Sequence, residues 1–327
     1  MAPIPSCPPR FGKFGSLANV DPSPTPTARF TGWRRSRPSP PSMGGFATID
    51  FTEGAAVRDN IAMEEPMTVT LEATIRSVAD RLMEARRSGV AIASVRGELP
   101  ARDVATAYAV QKINIDRLLV EGRHRVGRKI GLTSEAVQKQ LGVDAPDFGV
   151  LLDDMDFSAG QIPLAGLIAP RIEAEFALRL ARDITSQGLS GAALAPFVEA
   201  VAVSVEIVDS ATKWDIDIVD TVADNASSCG FAVGEWRAYS SDLELAERAM
   251  RLFCDDEIIS RGVGAATLGH PLNALAWLAD ASIAVGDPLR AGEIVLSGAL
   301  GPMVGLTPGQ YRVEIDGFEP LVLRAAA

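Results

Sequence analysis

The chain has 327 residues, of which 47% are hydrophobic, and it carries a formal net charge of -11 at pH 7. This length and composition are sufficient for one large buried core or two smaller ones. The negative net charge disfavours nucleic acid or an anionic membrane as the partner, because phosphate is bound by clustered Lys and Arg. The sequence has no apolar run of about 20 residues and no continuous apolar signal core, so we expect a cytoplasmic protein that acts on a small molecule.

The first 66 residues are rich in Pro, Ser, Gly and Arg and show no sustained hydrophobic period. This composition predicts a disordered N-terminal extension, followed by one catalytic domain over residues 67–327. A transit peptide is the functional alternative, but acidic residues such as Asp50, Glu53 and Asp59 fit it poorly. A tail or a start codon placed too early is the simpler interpretation, with Met63 and Met67 as alternative starts.

Helical signals come first in the predicted domain. Leu71, Ile75, Val78 and Leu82 fall at helical spacing from Thr70 onward, and Gly89 follows as a stop signal. The next predicted elements are a helix from Arg102 to Glu121 ended by Gly122, a strand from Val126 to Leu132, and a helix capped by Thr133 or Ser134 that stops at Gly142.

Strand signals dominate the rest of the chain. The predicted strands are Arg171 to Ala181, Ala200 to Val208, Cys229 to Val233, Ile294 to Leu296 and Tyr311 to Ile315. Two helices, at residues 242–252 and 271–280, are predicted between them. Helices followed by strands indicate an α+β domain with a mainly antiparallel or mixed sheet.

Cysteine and histidine offer little chemistry in this sequence. Cys7, Cys229 and Cys254 lie far apart, which excludes a disulfide framework and a CxxC zinc site. His124 and His270 are the only histidines, and neither stands in a nucleophile motif. We therefore expect both to be structural or solvated.

Three glutamates form the main candidate site. Alternation in the strand from Arg171 places Glu173 and Glu175 on one face, within about 7 Å of each other, where the two charges require a cation or a raised pKa. Glu206 stands among small residues on one face of the next predicted strand, an expensive place for an unpaired carboxylate. Three carboxylates without His or Cys suit Mg²⁺ or Mn²⁺. The alternative is a solvated face on which Arg171 and Arg179 pair with Glu173 and Glu175.

Lys129 is the candidate proton-transfer residue. Gly127 and Gly131 occupy the neighbouring positions on its strand face, so backbone or ligand can approach it closely. A lysine held near a metal has a lowered pKa and can exchange a proton near neutrality. A solvated strand lysine is the alternative, and the segment lacks the spacing of a phosphate-binding loop.

Several motifs in chain order carry a family resemblance. They are Gly131-Leu-Thr-Ser134, Leu141-Gly-Val-Asp-Ala-Pro-Asp-Phe-Gly-Val-Leu-Leu-Asp-Asp154, Pro170-Arg-Ile-Glu-Ala-Glu175, Val205-Glu-Ile-Val-Asp-Ser210 and Asp220-Thr-Val-Ala-Asp-Asn-Ala-Ser-Ser228. From about Met67 to the C-terminus the chain closely resembles the 2-keto-4-pentenoate hydratase family of the fumarylacetoacetate hydrolase superfamily. It departs from the family pattern at Ala211, where members usually have Arg, and near Asp316.

The resemblance implies a mixed β-roll with N-terminal helices, assembled as a homo-oligomer. It also implies a role for seven residues: Mg²⁺ or Mn²⁺ held by Glu173, Glu175 and Glu206, Lys129 and Asp147 near the substrate, and Ser297 and Gly298 at its carboxylate. The implied reaction is hydration of 2-hydroxypenta-2,4-dienoate to 4-hydroxy-2-oxopentanoate in the breakdown of aromatic compounds. A 4-oxalocrotonate decarboxylase on the same scaffold and a non-catalytic partner subunit are the alternatives.

Overall fold

The computed structural model describes residues 65–134, 138, 143 and 145–327, with side chains from Thr70 onward. The predicted extension of residues 1–66 lies outside these residues, apart from its last two, which begin the first helix. Most of the helix predicted between Thr133 and Gly142 also falls on residues that are not described.

Helices are concentrated in the first part of the described chain and strands in the rest. The helices are α1 Glu65–Ser88, α2 Val104–Val120, α3 Gly191–Leu194, α4 Ile218–Ala223 and α5 Pro271–Ala284. The strands are β1 Arg125–Gly131, β2 Asp147–Leu152, β3 Gln161–Pro163, β4 Arg171–Leu180, β5 Val198–Val208, β6 Ser228–Val233, β7 Arg237–Ala238, β8 Ala249–Cys254, β9 Glu257–Val263, β10 Ile294–Leu296, β11 Val304–Gly305, β12 Gly309–Ile315 and β13 Leu321–Ala326.

Two sheets enclose the main core. The larger sheet has the order β2-β1-β10-β4-β5-β6, with β11 beside β4 and β7 beside β5, and the smaller has the order β3-β13-β12-β8-β9. The pairs β1–β10 and β3–β13 are parallel and the other pairs are antiparallel. Phe176 and Val203 of the larger sheet share one buried cluster with Tyr311 and Val313 of the smaller one. The predicted α+β class with a mixed sheet is therefore confirmed.

The helix α1 is amphipathic, as its sequence period predicts. Val78, Ala79 and Leu82 are buried against α4 and neighbouring segments, which accounts for the formation of a long helix here. Gly89 follows the last turn with φ of 67°, and the N–H of Val90 donates to the carbonyl of Ala85 at 3.3 Å. This closing bond satisfies a terminal carbonyl, so the predicted stop at Gly89 is confirmed.

The helix predicted at residues 242–252 is wrong. The structure has short 3₁₀ turns at Ser241–Leu243 and Leu245–Glu247, and then the strand β8. Leu, Ala, Glu and Arg favour a helix locally, but Glu244 adopts a left-handed backbone with φ of 45°, and β8 pairs with both β9 and β12. Tertiary pairing overrides the local preference, and Met250, Leu252 and Cys254 alternate into the core.

The strand β2, which carries Asp147, is not predicted by the sequence pattern. All six of its residues are buried, so it shows a continuous apolar run rather than the alternation of a half-buried strand. The pattern also does not predict the short or edge strands β3, β7, β9, β11 and β13. Among the described residues, no helix combines the length and apolar composition that crossing a bilayer requires.

Candidate metal centre and active site

The three predicted ligands meet on the face of the larger sheet that points away from the main core. Glu173 on β4 lies directly opposite Glu206 on β5, and Glu175 lies opposite Ser204. One carboxylate oxygen from each glutamate lies within 4.8 Å of the others. Glu175 and Glu206 are fully buried, whereas Glu173 is partly exposed. Strand register therefore assembles a compact acidic cluster from two segments about 30 residues apart.

Several oxygens of this cluster lack hydrogen-bond partners. Among the described residues, Oε1 of Glu175 and both carboxylate oxygens of Glu206 have none, although Oε2 of Glu175 accepts from the N–H of Gly298 at 2.7 Å. Buried carboxylates without partners are costly unless a cation or a proton compensates them. Three hard carboxylate ligands at this separation fit a divalent cation that leaves positions for water and substrate.

Burial and mutual repulsion also change the acidity of the cluster. Burial, followed by the charge of Glu206, raises the pKa of Glu173 to about 7. Burial and the charges of Glu206 and Glu173 raise the pKa of Glu175 well above its ordinary value. Burial also raises the pKa of Glu206, although the charge of Lys129 opposes this shift. The cluster consequently holds protons near neutrality unless a cation replaces them.

Lys129 and Asp147 lie beside the three glutamates. Lys129 is separated from β4 by the strand β10, but its Nζ atom reaches to 3.2 Å from Oε1 of Glu206. Asp147 is paired with Gly131 across β1 and β2, and its Oδ1 atom has no hydrogen-bond partner among the described residues. The structure thus brings all five predicted metal and catalytic side chains to one place.

The two groups have contrasting proton affinities. Burial raises the pKa of Asp147 to about 6, with Lys129 partly opposing the shift. For Lys129, burial alone lowers the pKa, but the charges of four surrounding carboxylates, Glu206 foremost, outweigh it and raise the pKa above its ordinary value. This differs from the lowered lysine pKa expected beside a cation, because the carboxylates dominate the local field.

The predicted solvated alternative is wrong for Glu175 and Arg179, whereas Glu173 is partly exposed and the charge of Arg171 acts on it. Arg179 pairs with Glu199 at 3.2 Å rather than with Glu175, which is fully buried. His270 serves as the N-cap of α5, where its Nδ1 atom accepts from the N–H of Leu272 at 3.0 Å. The expected structural role of this histidine is therefore confirmed.

Known proteins share both the sequence and the fold. The chain is 51% identical over 248 residues to the 2-keto-4-pentenoate hydratase of Burkholderia vietnamiensis, covering 75% of this chain and 95% of that protein. The chain belongs to the 2-keto-4-pentenoate hydratase family. It is accordingly a hydro-lyase. A further relative, the 2-hydroxyhexa-2,4-dienoate hydratase of Comamonas testosteroni, is 38% identical over 249 residues, covering 75% of this chain and 94% of that one.

One solved structure has a fold similar to that of this chain. The 4-oxalocrotonate decarboxylase from Pseudomonas putida G7, complexed with magnesium and adipate, matches with a TM-score of 0.74 at 30% identity and covers 78% of this chain and 98% of that chain. The fold is of the fumarylacetoacetate hydrolase type, as the sequence resemblance implied. No protein-family model matches the sequence.

The predicted substrate-binding pair of this hydratase already has partners within the chain. The hydroxyl of Ser297 accepts from the N–H of Phe176 at 3.3 Å, and the N–H of Gly298 is the donor to Glu175. Gly298 has φ of 98°, and a Cβ atom there would collide with Thr133. Both residues therefore position the strand that carries two of the glutamates, and their contact with a substrate carboxylate stays a prediction.

Gly131 packs against two groups of the candidate site, and we expect it to position them; its sequence pattern indicates only a close approach. A Cβ atom at this position would collide with Oδ1 of Asp147 and come within 3.3 Å of Nζ of Lys129. We expect Gly131→Ala to lower kcat by about tenfold or more while the fold persists, since small displacements of reacting groups are costly. Gly97→Ala is the matched control, because a Cβ atom there meets nothing within 4 Å. Equal kcat values for the two variants would contradict this role.

Cation binding by this hydratase is expected to depend on pH. Because the folded-state pKa values of Asp147 and Glu173 are raised to about 6 and 7, the protonated acids stabilise the fold at low pH, and this stability is lost as pH rises through those values. With chelator present, Tm should fall from pH 5 to pH 8. Because the cation must displace the proton of Glu173, the affinity for Mg²⁺, measured by calorimetry, should rise by roughly tenfold or more per pH unit below pH 7. A pH-independent affinity would contradict the placement of the cation at Glu173.

Proposed function

We propose that this family member hydrates 2-hydroxypenta-2,4-dienoate to 4-hydroxy-2-oxopentanoate, with Mg²⁺ or Mn²⁺ held by Glu173, Glu175 and Glu206. The observation that carries the proposal is the cluster of three glutamate carboxylates beside Lys129 and Asp147. The chain is also 51% identical over 248 residues to a 2-keto-4-pentenoate hydratase. The cation, when bound, supplies a Lewis acid that withdraws electrons from the conjugated acid.

Lys129 suits the role of proton donor. Its pKa is raised by the surrounding carboxylates, so Nζ remains protonated at neutral pH. Delivery of a proton to C5, with loss of the proton on the C2 hydroxyl, converts the dienol to 2-oxopent-3-enoate. The new C3–C4 double bond is conjugated with the C2 carbonyl, which makes C4 electrophilic.

Asp147 suits the role of proton acceptor for the attacking water. A carboxyl with pKa of about 6 is largely ionised at neutral pH and basic enough to take a proton. Its Oδ1 atom, which lacks a partner among the described residues, is available to orient water toward C4. Hydroxide adds at C4 and a proton adds at C3, so the net change is the addition of one water molecule.

The direct test uses the full chain loaded with Mg²⁺ and freshly generated 2-hydroxypenta-2,4-dienoate. NMR should show 4-hydroxy-2-oxopentanoate, and in D₂O deuterium should enter C5 and C3. Glu206→Gln serves as the inactive control. Release of CO₂ from 4-oxalocrotonate without hydration of the dienoate would instead support the decarboxylase alternative, which the similarity to the solved decarboxylase makes worth testing.

The remaining expectations rest on the family resemblance. A homo-oligomer and a cytoplasmic location stay predictions, and a non-catalytic partner subunit is the alternative that turnover by the purified chain would exclude. Retention of the three glutamates together with Lys129 and Asp147 in a single cluster supports a catalytic chain.

A further inference from the structure

The strand β2, which carries Asp147, lies at the end of the larger sheet and pairs there with β1 on one side. Along its other edge, side chains bind the backbone groups that a further strand would bind. The N–H of Phe148 donates to the hydroxyl of Tyr108 at 3.1 Å, and the side-chain amide of Gln111 donates to the carbonyl of Phe148 at 3.1 Å. Both side chains come from α2, so this helix fixes the backbone next to Asp147.

Asn225 binds the same edge of β2 two residues further along. Its side-chain amide accepts from the N–H of Val150 at 2.8 Å and donates to the carbonyl of Val150 at 2.9 Å. A primary amide has one acceptor and donors beside it, so it replaces a peptide group of an adjacent strand. The approach is close, because a Cβ atom at Gly149 would lie 2.4 Å from the carbonyl oxygen of Asn225. Glycine at this position is therefore required.

The turn that holds Asn225 also contacts the strand of a candidate metal ligand. The turn Asn225–Ser227 lies between α4 and β6, and the carbonyl of Ser227 accepts from the N–H of Asp209 at 2.9 Å. Asp209 comes three residues after Glu206, directly beyond the end of β5. None of the three turn residues is glycine, yet all have a left-handed backbone, with φ between 51° and 56°. Such a conformation costs free energy and persists only where its surroundings impose it.

We propose that Asn225 is a positioning residue for the hydration step, because the turn that it begins joins the strand of Asp147 to the strand of Glu206. The carboxylate that accepts the proton of the attacking water must keep a fixed distance from the metal ligands, since small displacements of reacting groups reduce the rate strongly. Pairing with β1 fixes one edge of β2, and Asn225 fixes the other edge relative to β5. The role of Asp147 in this inference rests on the proposed function, whereas the two hydrogen bonds to Val150 belong to the fold.

Asn225→Gly and Asn114→Ala form a matched pair for the test. Glycine adopts the left-handed backbone of residue 225 without strain, so Asn225→Gly removes the side-chain amide alone. Asn114 also donates from its amide to a backbone carbonyl, that of Ala79 at 2.9 Å, but it joins α2 to α1 instead of holding a strand. With the Mg²⁺-loaded full chain, we expect Asn225→Gly to lower kcat for hydration of 2-oxopent-3-enoate by about tenfold or more, with KM and Mg²⁺ affinity within about threefold. Asn114→Ala should lower Tm and leave these constants unchanged.

Deuterium incorporation separates a positioning role from a general loss of stability. Entry of deuterium at C5 of the dienol reports the step assigned to Lys129, which lies on β1 and keeps its pairing with β10. Its rate in Asn225→Gly should stay within about threefold of the parent chain, and 2-oxopent-3-enoate should accumulate. A general loss of stability would slow both steps in the same proportion. Tyr108→Phe keeps the ring stacked on Phe148 but loses the hydroxyl, and it should slow hydration selectively by a smaller factor.

Hydrogen exchange provides a readout that does not require turnover. The amide of Val150 should exchange at least about tenfold faster in Asn225→Gly than in the parent chain and at an unchanged rate in Asn114→Ala, because only the first variant removes its acceptor. If the parent chain does not hydrate the dienoate, the proposed function fails, and exchange at Val150 alone supports or overturns the role of Asn225 in holding β2. If the parent chain hydrates it, but Asn225→Gly slows hydration and C5 deuteration equally or slows neither, the proposal is overturned.

Discussion

Glu206→Gln is expected to abolish turnover and to weaken Mg²⁺ binding by about 100-fold or more. Glutamine keeps the size and one carbonyl oxygen of the side chain but removes the charge that favours a hard cation. Glu206 is fully buried, faces Glu173 across the strand pair, and has no hydrogen-bond partner for either oxygen among the described residues. Its Oε1 atom lies 3.2 Å from Nζ of Lys129, so the substitution removes a candidate metal ligand and one of the four carboxylates around that lysine.

Thermal melts with and without Mg²⁺ separate this expectation from a structural role. In chelator the variant should still fold, because the amide lessens the repulsion among the buried carboxylates and three of them remain beside Lys129. With Mg²⁺ the parent chain should gain stability by mass action and the variant should not. Glu199→Gln, an exposed position on the same strand, is the control. Full activity and an unchanged Mg²⁺ effect in Glu206→Gln would eliminate this metal site.

Lys129→Ala is expected to lower kcat by about 100-fold or more, with the fold and Mg²⁺ binding preserved. Nζ is the one ammonium among the described residues that lies beside the cluster, 3.2 Å from Glu206, and it is held in the protonated form. Lys129→Arg should not restore turnover, because a guanidinium does not release its proton near neutrality and places its donors differently.

A comparison of two substrates can identify the reaction step in which Lys129 acts. With 2-oxopent-3-enoate, in which C5 is already a methyl group, the loss in Lys129→Ala should be much smaller than with the dienol. Lys112→Ala is the control, because this exposed lysine pairs with Asp116 on the surface of α2. Near-normal turnover of the dienol by Lys129→Ala would remove this residue from the mechanism, and equal losses with both substrates would contradict its assignment to C5.

Local periodicity predicted much of the fold and the shared strand face of Glu173 and Glu175. Alternation predicted β4 and β5 and placed Glu173 and Glu175 on one face, because successive side chains of a strand point to opposite sides whatever the strand pairs with. Helical spacing and a terminal glycine predicted α1 for the same kind of reason. The family motifs supplied Asp147, whose strand shows no alternation because both of its faces are buried.

Strand order and register were decided only by the tertiary structure. The position of Glu206 opposite Glu173, the reach of Lys129 across β10, and the contact between Gly131 and Asp147 all depend on pairings between distant segments. The same holds for β8, where pairing with two strands outweighs a sequence that favours a helix. By itself the sequence determined which side chains share a face, because that follows from backbone geometry. Long-range packing determines which faces meet.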